Sequence, residues 1–539
     1  MRTAFRTSLV AIGLWAVAAP LHSYPVAESL PLDKLVEEAD AVFKGTVLSS
    51  EPIDAEPFKP IPGFAAFATT IRVVSSIKGD TPAGEVVFQH YGTGEADSPR
   101  SPGYAPQYYD LERGRPYIVF AKKTDQPAVY RQIWQDHRMK ADQGVVLAAN
   151  DRPIADGRSP KEIIGKELES LLKSRSQEDI VYAIRQLDEM SGGGFGAVED
   201  FDRAWAMDKI HPLFGHRDDA IVRAALATFN LKSPLMDEGN APHWLLAMGK
   251  GILPGLSVWD APQRNAIAAR YWRELAALVD GTGAVDLRAM AVKALGLAGE
   301  PALREHVVRW SQAQEPPIRQ AAVMLLFDFP GEETSHLLAE RARDPAFEVR
   351  SGVARAVGFG QFRDLIPLLD GLLGDGNEEV RTAAALSLLS FETSEVAQCL
   401  ERHINDPDFK SVFVNALARV NPEPYIESLA EVVEQRSEPK RFWGGRIPHA
   451  DSWDILFAYV QRLPPVELQS SEITRALDAL DRAQFYGSSE PRDLYAFYLK
   501  RHLPQRAADF RRHCRESVSF DMEYFFKTVD GTPGGSTPE

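Results

Sequence analysis

Cysteine is nearly missing from this chain: Cys399 and Cys514 are the only two among 539 residues. A disulfide-dense secreted scaffold is thereby excluded. Basic charge is also in deficit, with 60 Lys and Arg against 76 Asp and Glu and a net charge of −16. A nucleic-acid binder would carry a basic footprint, and adsorption to anionic lipid needs clustered cations, so both partners are set aside. Beyond the first twenty residues no apolar run is long enough to cross a bilayer, which takes about 20 residues. The signatures of chemistry are absent too. There is no H-E-x-x-H and no G-x-S-x-G, and the Gly192–Gly196 and Gly249–Gly251 stretches lack the strand, spacing and terminal Lys-Ser/Thr of a phosphate loop. No catalytic residue, metal ligand or cofactor is assigned. His211, His216, Asp218 and Asp219 are the densest set of ligand-type side chains, but Pro212 and Gly215 among them mark an inter-helix loop.

What is present begins at the N-terminus. Arg2 and Arg6 precede the apolar run Leu9–Ala19, followed by Pro20, His22 and Ser23. A charged start, a short apolar stretch and a small polar exit describe a secretory signal peptide over residues 1–23. The expected address is periplasmic or extracellular, with cleavage near Ser23.

The remainder is too long for a single core. From Tyr24 to about Asn150 short β-branched and aromatic runs are bounded by Gly, Pro and Asp: Ala41–Leu48, Thr69–Ile77, Val86–His90, Tyr117–Ala121, Val129–Trp134 and Val145–Leu147. A short helix over Leu32–Ala39 precedes them. Five or six short strands predict a small closed β-barrel of OB type over residues 24–150. Three segments, Leu32–Val47 with "ADAVFKGTV", Ile71–Asp80 with "IKGD" and Leu111–Lys122 with "ERGRPYIVFAKK", resemble the N-terminal modules of many secreted bacterial proteins, described as netrin-like or metalloprotease-inhibitor-like OB folds. Such inhibitors reach a protease metal through an N-terminal Cys. No Cys lies in this module, so that mechanism is not implied here.

After Asn150 the apolar period changes to three and four residues, as in Ile163, Ile164, Leu168, Leu171 and Leu172, which is helical. Within this part Arg288, Arg319, Arg350 and Arg381 follow one another at 31-residue steps. Leu287, Ile318, Val349 and Val380 stand one residue before them, and Asp344, Asp375 and Asp406 keep the same step. Several columns at one spacing predict an α-solenoid. Asp344-Pro345 and Asp406-Pro407 read as a helix cap followed by a first-turn residue. The Arg column invites a functional reading, but a stem laid on apolar surface and a guanidinium paired with the Asp of an adjacent unit explains it better. The pattern resembles HEAT repeats, in particular the short form of the phycobilisome-lyase-like group. Some members of that group handle bilins, but no residue set here would hold one.

The expected organisation is therefore an OB-like barrel over 24–150, a HEAT-like solenoid over 160–430 with about four to five regular units in 285–420, a helical extension over 431–528 and a disordered tail over 529–539. Cys399, among Val396 and Leu400, reads as a core thiol. For a partner site, Arg441, Phe442, Trp443, Arg446, His449 and Trp453 form an aromatic and Arg-rich loop of the composition found at interface hot spots. The alternative is that Trp443 and Trp453 cap the end of the repeat core. The loop Tyr91–Tyr109 is the equivalent candidate in the head. Together these features predict a non-enzymatic envelope scaffold that binds a protein partner through its solenoid. The competing expectation is a secreted enzyme or protease inhibitor acting through the β module.

Overall fold

The computed structural model describes residues 30–54, 58, 64–93, 108–133, 144–154, 159–192, 199–229, 268–296, 298, 301–434, 449–464, 467–482, 495 and 498–517. The chain divides into two compact units, one of residues 1–231 and 262–298 and the other of residues 232–261 and 299–539. The head thus shares a unit with the helices that follow it.

In the first unit helix α1 (Leu32–Glu38) leads into strands β1 (Ala41–Pro52), β2 (Phe64–Lys78), β3 (Gly84–Thr93), β4 (Pro116–Lys123), β5 (Val129–Gln132) and β6 (Val145–Leu147). β1, β2 and β3 form an antiparallel meander, β3 runs parallel to β5, β5 pairs with β4, and β4 pairs back to β1. Five strands therefore close a ring, which removes the open edges of a sheet, and β6 adds to β4. The strands run longer than their apolar alternation suggests, because β1 and β2 stay paired out to Pro52 and Phe67.

Two glycines of the head are needed for shape. At Gly45, where the β1–β2 register shifts, a Cβ would stand 2.5 Å from Ile71 Cγ2 and 2.8 Å from the Arg72 carbonyl. Gly79 has φ +74, and a Cβ there would stand 2.5 Å from the Asp40 carbonyl. The turn it makes carries Lys78 to the C-terminus of α1, where its ammonium donates to the carbonyls of Val36 and Ala39, each at 2.6 Å. A cation there satisfies carbonyls left open by the helix end and complements its dipole.

Helices α2 (Pro160–Leu171), α3 (Gln177–Glu189), α4 (Arg203–Ile210), α5 (Asp219–Ala227), α6 (Trp272–Asp280) and α7 (Val285–Leu295) complete this unit. Ser159 opens α2 with a reciprocal capping box to Glu162, after which Pro160 fits the first turn.

The second unit is helical: α8 (Leu303–Trp310), α9 (Pro316–Leu325), α10 (Glu332–Arg341), α11 (Phe347–Phe359), α12 (Ile366–Leu372), α13 (Glu378–Leu388), α14 (Thr393–Arg402), α15 (Lys410–Val420), α16 (Ile426–Glu434), α17 (His449–Val460), α18 (Ser471–Arg482) and α19 (Pro504–Ser517). The second helices of successive pairs, α9, α11 and α13, lie side by side and bury most of their residues. Small residues make this possible. A Cβ on Gly358 of α11 would meet Ser387 Cβ and Oγ of α13 at 2.7 Å, and Ala321, Ala322, Ala354, Ala383 and Ala384 are each no more than 1% exposed. Among the described residues no helix is long and apolar enough to cross a membrane.

Candidate functional site

The 31-residue columns become a ladder of ion pairs. Arg319, near the start of α9, lies 9% exposed and donates through Nε and Nη2 to the two oxygens of Asp344, each at 2.9 Å. Its Nη1 turns back to the carbonyls of Ala313 and Gln314 at 2.9 and 2.7 Å, before its own helix. Arg350 of α11 repeats the arrangement with Asp375 at 2.7 and 2.8 Å and with the carbonyls of Asp344 and Pro345. Each guanidinium thus binds the loop of its own unit to the loop of the next. A planar five-donor fork suits that task, and an ammonium does not.

The carboxylates serve a second purpose. Asp344 Oδ1 accepts from the Ala346 N–H, Asp375 Oδ1 from the Asn377 N–H and Asp406 Oδ1 from the Asp408 N–H, at 2.9, 2.8 and 2.9 Å. These are turns ahead of the helix rather than the N-caps expected. The residues at the cap positions are Ala346, Asn377 and Phe409, of which Asn377 alone supplies a side-chain cap. Burial pushes the Asp344 carboxyl up, but the bonds from Arg319 and Ala346 outweigh it and hold it below the usual carboxylate range. The hydrogen bond from Arg350 does the same to Asp375.

The ladder departs from its columns at both ends. Arg381 donates Nη2 to Asp408 at 3.2 Å, two residues beyond Asp406, while its Nη1 keeps the backward bond to the Asp375 carbonyl. Asp406 is taken up in its own turn. Arg288 stands in the column, yet Ala313 occupies the position 25 residues on, and its Nε donates to the Val279 carbonyl at 2.8 Å. A carboxylate two residues out of register is invisible to a strict period.

One residue past the Arg column lies a second line that sequence reading passed over. Gln320, Ser351 and Thr382 are buried at 6, 0 and 4% exposure. Ser351 donates to Glu379 Oε1 at 3.1 Å, and Arg355 reaches the same oxygen at 3.3 Å. Their 31-residue step was legible; their small, polar character hid it.

Of the loop expected to bind a partner, Arg441, Phe442, Trp443 and Arg446 lie outside the described residues. His449 is the first residue of α17. Trp453 is 3% exposed and belongs to the core, not to the loop surface. Its ring packs against Phe457 at 5.1 Å and Tyr495 at 5.6 Å, in a cluster with Leu429, Leu456, Leu480 and Phe510. An aromatic four residues into a helix that faces two neighbours buries its ring, whatever the loop before it does. The same cluster holds Arg506 against Asp478 and Asp481, and the Tyr495 hydroxyl donates to Asp481 at 2.6 Å.

The remaining candidates resolve into local structure. Pro212 and Gly215 lie in a 3-10 turn spanning His211–Gly215, His216 Nδ1 accepts from the Asp218 N–H at 3.1 Å, and Asp218 caps α5. Gly192 adopts φ +82, and residues 193–198 and Gly249–Gly251 lie outside the described residues. Cys399 is a free thiol, 6% exposed, whose pKa is raised by burial.

In the head, the "FKG" and "IKGD" motifs are joints. Lys44, 1% exposed, donates to Glu167 of α2 at 2.6 Å, and the other Glu167 oxygen accepts from the Ala149 N–H at 2.7 Å. Tyr182 of α3 accepts from the Leu147 N–H at 3.0 Å, Arg115 pairs with Asp179, and Asp200 accepts from the Leu32 N–H at 2.6 Å, where α1 has no cap of its own. A lysine on an otherwise apolar strand was the signal available for this seam.

The HEAT repeats family matches residues 274–358 and 334–420. No curated protein matches by sequence. Among solved structures, the chain is similar to YibA of E. coli at 15% identity and a TM-score of 0.29, over 61% of this chain and 100% of that one. It is similar to the CpcE–CpcF complex of phycocyanin lyase from Nostoc at 15% identity and a TM-score of 0.24, over 62% and 98%. Kap95p, solved with RanGDP, matches at 12% identity and a TM-score of 0.37, over 69% of this chain and 54% of its own. The chain is thus a β-rich N-terminal region followed by a helical region with HEAT repeats.

Proposed function

We propose that this protein is a non-enzymatic scaffold of the bacterial envelope, secreted or periplasmic, whose HEAT repeats hold a protein partner. The carrying observation is the Arg–Asp ladder. It locks loops of successive units into one register, as a preorganised binding surface requires. HEAT repeats are a fold of interaction proteins, and the charged start, apolar run and polar exit of residues 1–23 support the address. Arg441, Phe442, Trp443 and Arg446, with His449 at the start of α17, are the proposed contact, and Trp453 anchors that helix in its core. The phycocyanin lyase role of the CpcE–CpcF complex is not adopted, since the sequence offers no residue set to hold a bilin.

A second reading is favoured by one observation. The ring order β1-β2-β3-β5-β4-β1 is compatible with the OB-like, netrin-type module expected from sequence, and such barrels are ligand-binding platforms. On that reading the head is the active surface, as an inhibitor or an enzyme.

The test is capture from envelope extract with the full chain. The scaffold reading expects a saturable protein partner that is lost when Trp443 and Arg446 become Ala. Metalloprotease inhibition by the chain, unaffected by those two substitutions, would favour the head instead. Recovery of uncleaved protein from the cytoplasm would overturn the address.

A further inference from the structure

His90 in β3 is 1% exposed, and both of its ring nitrogens are engaged. Nδ1 lies 2.8 Å from the Tyr91 carbonyl and Nε2 lies 2.7 Å from the Thr69 hydroxyl. A carbonyl only accepts, so Nδ1 carries the hydrogen of the neutral ring and Nε2 accepts from Thr69. Thr69, 0% exposed, must then accept from Ser50, 2.7 Å away. Ser50 is exposed. One directed chain therefore runs from solvent through β1 and β2 to an imidazole in β3.

Little around that imidazole replaces the hydration a cation would lose. Phe67, Phe88 and Tyr109 surround it at ring distances of 5.9, 5.3 and 5.9 Å. β1 presents the Ser50 hydroxyl, β2 presents Thr69 and Phe67, and the segment after β3 presents the Tyr109 phenol. Among the described residues the charged group acting on the ring is Asp110, itself engaged with the Thr93 N–H and hydroxyl at 3.0 and 2.9 Å.

The same place is where β3 hands over to the Tyr108–Tyr109 segment. The Tyr91 carbonyl accepts from the Tyr109 N–H as well as from His90, and the Tyr91 N–H donates to Gln132 Oε1, each at 2.8 Å. Tyr91 in turn supports the aromatic group of Phe58, Phe64 and Tyr108.

We propose that the Ser50–Thr69–His90 chain is an acid-sensitive latch. A proton enters at Ser50, the two hydroxyls reverse, and the imidazolium formed at His90 loosens the junction of β3 with Tyr108 and Tyr109. Reversal keeps every hydrogen bond, with Nε2–H now donating to Thr69, Thr69 donating to Ser50 and the Ser50 hydrogen facing water. What changes is a positive charge placed in a nearly water-free site, where the stacked faces of Phe67 and Phe88 offset only part of its lost hydration. Burial pushes the His90 pKa down to about 4, with the Tyr91 bond and Asp110 opposing weakly. Its contribution to stability is complete above the unfolded-state value of about 6.5 and is lost as the pH falls through the folded-state value.

The experiment follows the histidine signals of the full chain by NMR from pH 7.5 to 3.5, with amide exchange corrected for intrinsic rate. His90→Phe identifies the resonance and keeps the ring packing. The latch expects one imidazole titrating near pH 4, with exchange across residues 86–93 and 108–112 accelerating by about tenfold per pH unit as the pH falls from about 6.5 to 4 and levelling off below, and no such acceleration in His90→Phe. Thr69→Val, which cuts the relay, should slow proton exchange at the ring. All imidazoles titrating near 6.5, a titration near 4 without local acceleration, or equal acceleration in His90→Phe would each overturn the proposal. If His90→Phe fails to fold, the wild-type titration and exchange together decide.

Discussion

Replacing Asp344 with Ala tests whether the repeat is held by its ladder. Asp344 and Arg319 have side-chain exposures of 2 and 11%, so removing the carboxylate leaves a nearly buried guanidinium with two of its donors unmet. Breaking one side of such a pair costs about 3–5 kcal/mol. The Ala346 N–H also loses its acceptor, which adds about 1 kcal/mol. Most of this loss is the stranded charge and not the worth of the pair. Removing both partners, as Arg319→Met with Asp344→Ala, should therefore cost less than the sum of the singles, with a coupling energy of about 2–3 kcal/mol. Exposure sets the order down the ladder. Arg350–Asp375, at 19 and 11%, should be next, and Arg381–Asp408, at 23 and 28% and with one bond, should be worth about 1 kcal/mol or less. Repeat arrays depart from two-state unfolding, so the assay is native-state hydrogen exchange of α9, α11 and α13 in each variant, beside urea unfolding. A coupling below about 0.5 kcal/mol for Arg319–Asp344, or equal losses at all three pairs, would refute the reasoning.

Three further outcomes are expected. Lys44→Met should destabilise the first unit by about 3 kcal/mol, because Glu167 is then buried without its cation; the double variant Lys44→Met, Glu167→Leu should recover much of it, read as urea midpoint and protease resistance, and a double variant no better than the single would count against the seam. Gly358→Ala should cost about 1–3 kcal/mol through overpacking against Ser387, and adding Ser387→Gly should recover only part of the urea midpoint, because the Cα of residue 387 also stands 2.9 Å away and glycine weakens α13. Asp344 and Asp375 are held below their ordinary values, so the stability they contribute is present above the unfolded-state value of about 3.9 and is lost as the pH falls through the lower folded-state values; acid unfolding of the second unit should shift to higher pH in Arg350→Met, and an unchanged profile would show that the pairing is not what holds Asp375 down.

The repeat was legible because a solenoid reuses one contact. A residue that must meet the same neighbour in every unit recurs at the unit length, so Arg319, Arg350 and Arg381 and their preceding aliphatic residues stand out in one dimension. The barrel was legible as strands, since β-branched runs between turn residues report local backbone preference. Its closure was not, because pairing β1 with β4 joins residues seventy to eighty positions apart. The candidate loop was read by composition alone, and composition could not tell Trp453, which faces a core, from aromatic residues that face solvent.

By itself, then, the sequence determined the two kinds of structure, the 31-residue unit and the Arg and Asp positions that mark it. Local preferences and periodicity are properties of neighbours along the chain, and these survive without a fold. Only the tertiary structure decided which partner each charge takes: Asp408 rather than Asp406 for Arg381, Glu167 for Lys44, and a hydroxyl relay for His90. Those choices depend on distances between segments far apart in sequence, where a displacement of two residues or a single buried hydroxyl changes the bond without changing the pattern.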